Sequence, residues 1–269
     1  KTIDVLDTGA YKSFIRERFD DPKILRMMGN ASTDWQDEIY RNAFSMDHYV
    51  GISGAYKTLP YRLSIGYTDE DGVLLTDNMK RYTGGLTLNP SLFDDHLKIN
   101  FNVKGIYVQN HFADQGAIGG ALQYDPSQPV YADSLTYYDS ETENPIRFAN
   151  PYGGYYSWIQ TYNNNPVDQG AANPVALLNM RDDNSDVYRL IGNIQLDYKL
   201  HFFPDLKLNL NLGLDDSWSD GTVYVPENAA WEFNNTKGGG LNTVYDQTKK
   251  NELFEMYGQY IKEVSSIKS

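Results

Sequence analysis

Over long stretches the chain repeats with a period of two. Tyr61, Leu63, Ile65 and Tyr67 alternate with Arg62, Ser64, Gly66 and Thr68, and Leu97, Ile99, Phe101 and Val103 alternate with Lys98, Asn100, Asn102 and Lys104. Leu190, Ile194, Leu196, Tyr198, Leu200 and Phe202 are interleaved with Asn193, Gln195, Asp197, Lys199 and His201. Leu206, Leu208, Leu210, Leu212 and Leu214 are interleaved with Lys207, Asn209, Asn211, Gly213 and Asp215. A ten-residue match of this kind arises by chance in about one window in a thousand, and several occur here. Such segments are β-strands with one apolar and one polar face. The pattern predicts seven strands, at about 48–55, 60–68, 79–89, 97–109, 187–202, 206–218 and 251–263.

The first 47 residues read differently. Phe14, Ile15 and Phe19 recur at helical spacing, Pro22, Gly29 and Asn30 interrupt, and Ser32 or Thr33 is placed to cap a short helix reaching about Phe44.

The connections alternate in length. Segments 57–59, 90–96 and 203–205 are short, whereas 69–78, 110–186 and 219–250 are longer. Short turns at one end and long loops at the other describe an up-and-down membrane barrel, while a half-buried sandwich is the alternative reading of the same alternation. In a barrel, Leu208, Leu210 and Leu212, with Ile194 and Leu196 beside them, face lipid, and Asn209, Asn211, Gln195 and Asp197 face a wet lumen. Tyr67, Phe93, Tyr107, Phe202 and Phe203 fall near strand ends, where aromatic girdles form.

Composition narrows the function. With 23 Lys+Arg against 36 Asp+Glu, the net charge of −13 disfavours a nucleic-acid partner. Cysteine is absent, and the mean hydropathy of −0.56 fits no membrane helix, although barrel strands average to a weak signal. Lys1–Ala10 has no basic stretch followed by an apolar run, and Ser265–Ser269 follows closely on the last strand, so the chain reads as a piece of something longer.

Catalytic and metal chemistry have little support. Asp182, Asn184 and Asp186 open like a calcium loop, but Val187 and Asn193 stand where Gly and Glu are needed, so a solvated loop is the better reading. Asp69–Gly72 reads as a turn with Gly72 at positive φ. Adjacent pairs Asp94/Asp95 and Asp215/Asp216 point to different sides, and His48, His96, His111 and His201 are scattered. Lys237 with Gly238–Gly240 reverses the order of a phosphate loop. No cofactor is implied. The aromatics carry more: Tyr152, Tyr155, Tyr156, Trp158 and Tyr162 crowd one long loop beside Asn150, Gly153, Gly154 and Asn163–Asn165, and Trp231 and Phe233 lie in another. Ring faces beside amides suit sugar rings or peptide backbones, and the same rings could instead pack the loop.

Several strings resemble one family. Thr33-Asp34-Trp35-Gln36-Asp37-Glu38, Ile52-Ser53-Gly54, Leu59-Pro60-Tyr61-Arg62 and Gly66-Tyr67 resemble the start of the barrel in SusC-like (RagA-like) TonB-dependent outer-membrane transporters. Ser91 to Lys98, Phe112-Ala113-Asp114 with Gly116 to Gly119, Asp125-Pro126 with Pro129-Val130, Asn173 to Leu178, Gly192-Asn193 with Asp197-Tyr198, and Phe203-Pro204-Asp205-Leu206 with Asn209 to Gly213 continue it in order, over about Thr33 to Gly221. The resemblance implies part of a larger all-β, antiparallel up-and-down transmembrane β-barrel with long extracellular loops. Residues 1–47 would link plug and barrel, and residues 48–269 would form a partial barrel. It further implies a non-enzymatic importer of glycans or peptides, a SusD-like surface lipoprotein as lid, and energy from TonB–ExbB–ExbD through a plug outside this chain. Tyr155, Tyr156, Trp158 and Trp231 are the candidate cargo contacts. A soluble β-rich carbohydrate-binding module is the competing reading.

Overall fold

The computed structural model describes residues 3–19, 21–57, 59–139, 141–161, 163–234 and 238–262. Tyr162, Lys237, the predicted strand end at 263 and Ser265–Ser269 lie outside the described residues. Helices α1 (Thr8–Arg18), α2 (Pro22–Met27) and α3 (Trp35–Ile39) come first. Strands β1 (Ser45–Tyr56), β2 (Leu59–Asp71), β3 (Asn78–Leu88), the two-residue β4 (Ser91–Leu92) and β5 (Leu97–His111) follow. The long loop holds α4 (Gly116–Gln123), β6 (Ser134–Tyr138), β7 (Pro145–Ala149) and α5 (Pro174–Met180), and β8 (Asp182–Lys199), β9 (Leu206–Val225) and β10 (Leu241–Tyr260) complete the order. Seven strands form one antiparallel meander, β1-β2-β3-β5-β8-β9-β10, with β4 beside the start of β5 and β6–β7 as a separate hairpin. The sheet does not close: β1 and β10 each keep one free edge.

The seven strands fall where the alternation places them, but several run further. Strand β8 begins at Asp182, β9 reaches Val225 and β10 begins at Leu241. The extra residues are largely polar on both faces, as backbone pairing requires no alternation once a strand has left an apolar layer. Asp182, Asn184 and Asp186 therefore share one face of β8, where Asn184 Nδ2 donates to Asp182 Oδ1 at 2.6 Å, and they are not a loop. Among the described residues no cluster of acids and histidines is arranged to hold a metal ion. The turn expected at 69–72 is also displaced. Strand β2 continues through Asp71, the connection is 72–77, and Thr76 takes the left-handed conformation at φ 72°. Gly72 is needed for space instead, because a Cβ there would collide with the Asp77 carboxylate.

At the N-terminal end Asp34, rather than Ser32 or Thr33, caps α3, accepting from the amides of Gln36 and Asp37 at 3.0 and 3.3 Å. Thr33 is occupied elsewhere, its hydroxyl donating to the Gln128 carbonyl at 2.6 Å. The helix stops at Ile39 because Tyr40 bridges to Leu74 and the chain turns into β1.

Burial in the sheet is inverted relative to a soluble protein. On the apolar face Val50 is 63% and Ile65 62% exposed, whereas Asn209 on the polar face is 7% exposed. Nothing among the described residues covers the apolar face, and a half-buried sandwich would need a second layer there. The polar face is cross-linked by its own side chains. Asn193 Nδ2 donates to Asn211 Oδ1 at 2.6 Å, Asn211 Nδ2 to Glu255 Oε2 at 2.9 Å, and Thr87 Oγ1 to Asn102 Oδ1 at 2.8 Å. Arg189 grips Asp215 with both arms of its fork, at 2.7 and 2.6 Å.

Register also gives the strand tilt. Tyr67, Tyr82, Tyr107, Tyr188 and Trp218 are direct partners across β2, β3, β5, β8 and β9. From that row to the short-turn end is 67 − 59 = 8 residues on β2 and 218 − 206 = 12 on β9. The turn end thus steps down by four residues over four strands. One residue of rise, about 3.3 Å, per strand spacing of about 4.8 Å is a tilt of about 35°, within the range of closed barrels. Polar residues on the outward face follow the same slope, beginning above Tyr67 at Asp69 and below Trp218 at Asp216.

Candidate functional site

The compact apolar core lies at the long-loop end. Trp35 and Ile39 of α3, Leu74 of the 72–77 turn, Ala117 and Ala121 of α4, and Val175, Leu177 and Leu178 of α5 pack together. Small residues on α4 let it approach α3 and α5 closely. Trp35 is fixed twice, by Nε1 donating to the Asp125 carbonyl at 3.0 Å and by an edge contact to Tyr124 at 4.7 Å.

On this platform the aromatic segment is pinned through its backbone. Gly153 and Gly154 turn it at φ 64° and 80°, a conformation that favours glycine. The Ala132 amide then donates to the Gly154 carbonyl at 2.8 Å and the Tyr156 amide to Val130 at 3.0 Å. Asn150 Nδ2 serves the carbonyls of Ala132 and Tyr155 at 2.7 and 2.9 Å, and Asn173 Nδ2 those of Val130 and Tyr156 at 2.9 and 3.2 Å. The Asn150 amide, read from sequence as a possible cargo donor, is therefore spent on holding the loop.

The four candidate contacts separate in space. Tyr156 meets Trp158 edge-on at 5.6 Å, and both line a cavity of about 540 Å³. Burial pushes the Tyr156 hydroxyl well above the usual phenol range, so it is a neutral donor. Tyr155 leans on Tyr131 at 5.1 Å, outside that cavity, and Trp231 packs against the α3–α4–α5 core. Tyr152 is buried, edge-on to Phe233 at 5.1 Å, with its hydroxyl donating to the Asn164 carbonyl at 3.0 Å.

Residues not singled out from sequence form the remaining walls: Lys23, Arg26 and Met27 of α2, and Thr136, Tyr138 and Glu143 of the β6–β7 hairpin. Pro22 at the start of α2 and the Asp21 cap to the Lys23 amide were readable as a helix start, yet nothing local indicates a partner more than a hundred residues away. The cavity thus combines an aromatic corner, hydroxyls and a balanced set of charges. Such a lining has room and chemistry for a neutral or zwitterionic molecule.

A second groove, about 330 Å³, lies on the polar face of the sheet between Tyr49, Arg62, Asn102, Lys104 and Asn193, where Arg62 donates to the Tyr49 hydroxyl at 3.0 Å.

No family model matches the chain. The TonB-dependent receptor SusC of Bacteroides thetaiotaomicron is 38% identical over 277 residues, covering 99% of this chain and 26% of that receptor. A TonB-dependent receptor of Formosa agariphila is 28% identical over 264 residues, covering 97% of this chain and 24% of its own length. The chain therefore spans about a quarter of the length of the curated relatives it matches. Among solved structures, the RagAB peptide importer in its closed-closed state superposes with a TM-score of 0.59 at 19% identity, covering 96% of this chain and 27% of that one. Its open-open state gives 0.58 at 18% identity, covering 97% and 27%.

Proposed function

Because the chain is SusC-like along nearly its whole length, we propose that it is the barrel segment of an outer-membrane TonB-dependent nutrient importer of a bacterial cell. In this reading residues 1–47 link a plug to the barrel and residues 48–269 supply its first strands. The observation that carries it is the open, tilted sheet whose apolar face is exposed and whose polar face is bonded within itself. That arrangement suits lipid outside and water inside, and β1 and β10 await neighbours. The importer works with a SusD-like surface lipoprotein as lid and draws energy from TonB–ExbB–ExbD through the plug. Cargo is a glycan or oligosaccharide, met at the cavity by Tyr156 and Trp158, while the other two sequence candidates, Tyr155 and Trp231, pack beside it. Hydroxyls of Ser134, Thr136 and Thr161 around that cavity support a sugar. Peptide cargo is the second reading, favoured by the likeness to the RagAB peptide importer.

The test is uptake by cells that lack the native gene and carry the complete receptor. Labelled neutral oligosaccharides and labelled short peptides are offered separately to the parent, to Trp158→Ala and to Tyr156→Ala. Truncating a central aromatic contact costs about 1–2 kcal/mol, roughly a five- to thirty-fold loss of apparent affinity for the true cargo. Uptake of both probes at equal rates with and without the receptor would refute the importer reading.

A further inference from the structure

Helix α2 is held to the molecule in an unusual way: none of its six residues is buried. A helix this short does not persist on its own propensity, and its apolar side chains Ile24 and Leu25 are only half-buried. Polar ties supply the rest. Glu143, at the tip of the β6–β7 hairpin, pairs with Lys23 Nζ at 2.9 Å and with Arg26 at 3.0 Å. The Tyr138 hydroxyl donates to the Arg26 carbonyl at 3.1 Å, and the Arg26 guanidinium stands 5.7 Å from the Tyr138 ring centre. At the last residue of the helix, Gln128 Nε2 donates to the Met27 carbonyl at 2.9 Å.

The hairpin tip is shaped for this contact. Asp139 Oδ1 accepts from the amides of Glu141 and Thr142 and from the Thr142 hydroxyl, at 3.1, 2.7 and 2.8 Å, which tightens the turn. Glu143 then sits at φ 56°, a left-handed conformation that disfavours any residue with a Cβ. The residue that bears this strain is the one that makes both ion pairs. The opposite wall is firm, since Tyr156 is tied through its main chain to Val130 and Asn173. Exposed ion pairs contribute little and exchange readily with water, so α2, hinged at its C-terminal end where Gln128 and Ser127 hold Met27 and Gly29, is the less firmly held of the two walls.

We propose that Glu143 is the catch of a clasp: its grip on Lys23 and Arg26 holds α2 as the movable wall of the cavity beside Tyr156 and Trp158, and its release opens that cavity. The inference rests on reading this cavity as the cargo site for its biological use, but the clasp itself is measured without cargo.

Ala132 lines the cavity, and the chain has no cysteine. In the complete receptor, with any cysteine outside these residues replaced by serine, Ala132→Cys is a reporter whose reaction rate with a bulky fluorescent maleimide follows opening. The Glu143→Lys substitution places like charges at the catch and is expected to raise that rate several-fold. Adding Lys23→Glu and Arg26→Glu restores opposite charges and returns the rate toward the parent value, which a general loss of structure would not do. Should Glu143→Lys fail to assemble, the parent reporter serves unaided, since raising NaCl from about 0.05 to about 1 M screens the pairs and increases the rate. A rate unmoved by both substitution and salt overturns the clasp. A rate that responds, in a receptor whose import ignores Trp158→Ala, keeps the clasp and removes the cargo assignment.

Discussion

The ring of Tyr107 on β5 stacks on that of Tyr188 on β8 with centres 4.6 Å apart, while the Tyr107 hydroxyl donates to Asp186 Oδ1 at 2.6 Å, one row closer to the long loops. One side chain thus spans the margin between the apolar layer and water, ring on one side and hydroxyl on the other, as interfacial tyrosines do. Tyr82 and Trp218 extend the stack, at 5.9 Å from Tyr107 and 6.0 Å from Tyr188. Tyr107→Phe keeps both ring contacts and should leave the heat resistance of the assembled barrel close to parental. Tyr107→Ala loses both and should lower it, as read by the gel shift between folded and heat-unfolded receptor.

Parity along β9 supplies a paired prediction. Leu210 is the middle of the apolar run Leu206–Leu214, and its neighbour Asn211 on the other face lies between Asn193 and Glu255. Leu210→Arg puts a cation at lipid depth and should cost about 2–4 kcal/mol, whereas Asn211→Arg stays within reach of Glu255 in a wet lumen and should cost far less. Equilibrium refolding into lipid vesicles measures both, and equal losses would mean that the faces are assigned wrongly.

Trp35 joins the N-terminal segment to the loop core. Trp35→Ala should destabilise that core by about 3–5 kcal/mol, and Trp35→Phe, which keeps a ring but drops the bond to the Asp125 carbonyl, by about 1–2 kcal/mol. Hydrogen exchange of the amides of α4 gives the readout, with protection falling in that order. Exchange in the strands should be unaffected.

The Glu143 carboxyl is held below the usual carboxylate range, first by hydrogen bonds from Lys23 and Arg26 and then by their charge. A group depressed in this way adds stability that is complete above its unfolded value and disappears as the pH falls through its folded value. The cavity should therefore stay closed at pH 7 and at pH 5, and open only in more acidic solution than titrates a free glutamate. Labelling of Ala132→Cys with a pyridyl disulfide, which reacts with thiols in acid and releases a thiopyridone, checks the order at each pH. Opening already between pH 6 and 5 would point to another group.

The strands were legible because each carries one apolar and one polar face, and an apolar layer imposes alternation on every residue within it. Where β8, β9 and β10 leave the layer, at Asp182–Asp186, 219–225 and 241–250, backbone pairing continues without that constraint and the ends went unread. The 72–77 turn was misplaced for a related reason: Asp69 and Asp71 look like turn residues but accept hydrogen bonds from Asn78 while still on β2. The loop core is assembled from Trp35, Leu74, Ala117 and Leu178, four positions with no shared local period. The crowded aromatics mark the loop that carries the cavity of about 540 Å³. Their division into Tyr156 and Trp158 at a cavity, and Tyr155 and Trp231 in packing, depends on α2 and the β6–β7 hairpin meeting in space, which no local pattern encodes.

The central claim is that this sheet crosses an outer membrane with its long loops outside and its short turns inside. Single cysteines in the complete receptor test it: Asp168→Cys in the long loop and Pro204→Cys in the turn before β9, probed in intact cells with a membrane-impermeant maleimide. The account predicts that Asp168→Cys labels at once and that Pro204→Cys labels only after the outer membrane is permeabilised. Prompt labelling of both, or of Pro204→Cys alone, would contradict it.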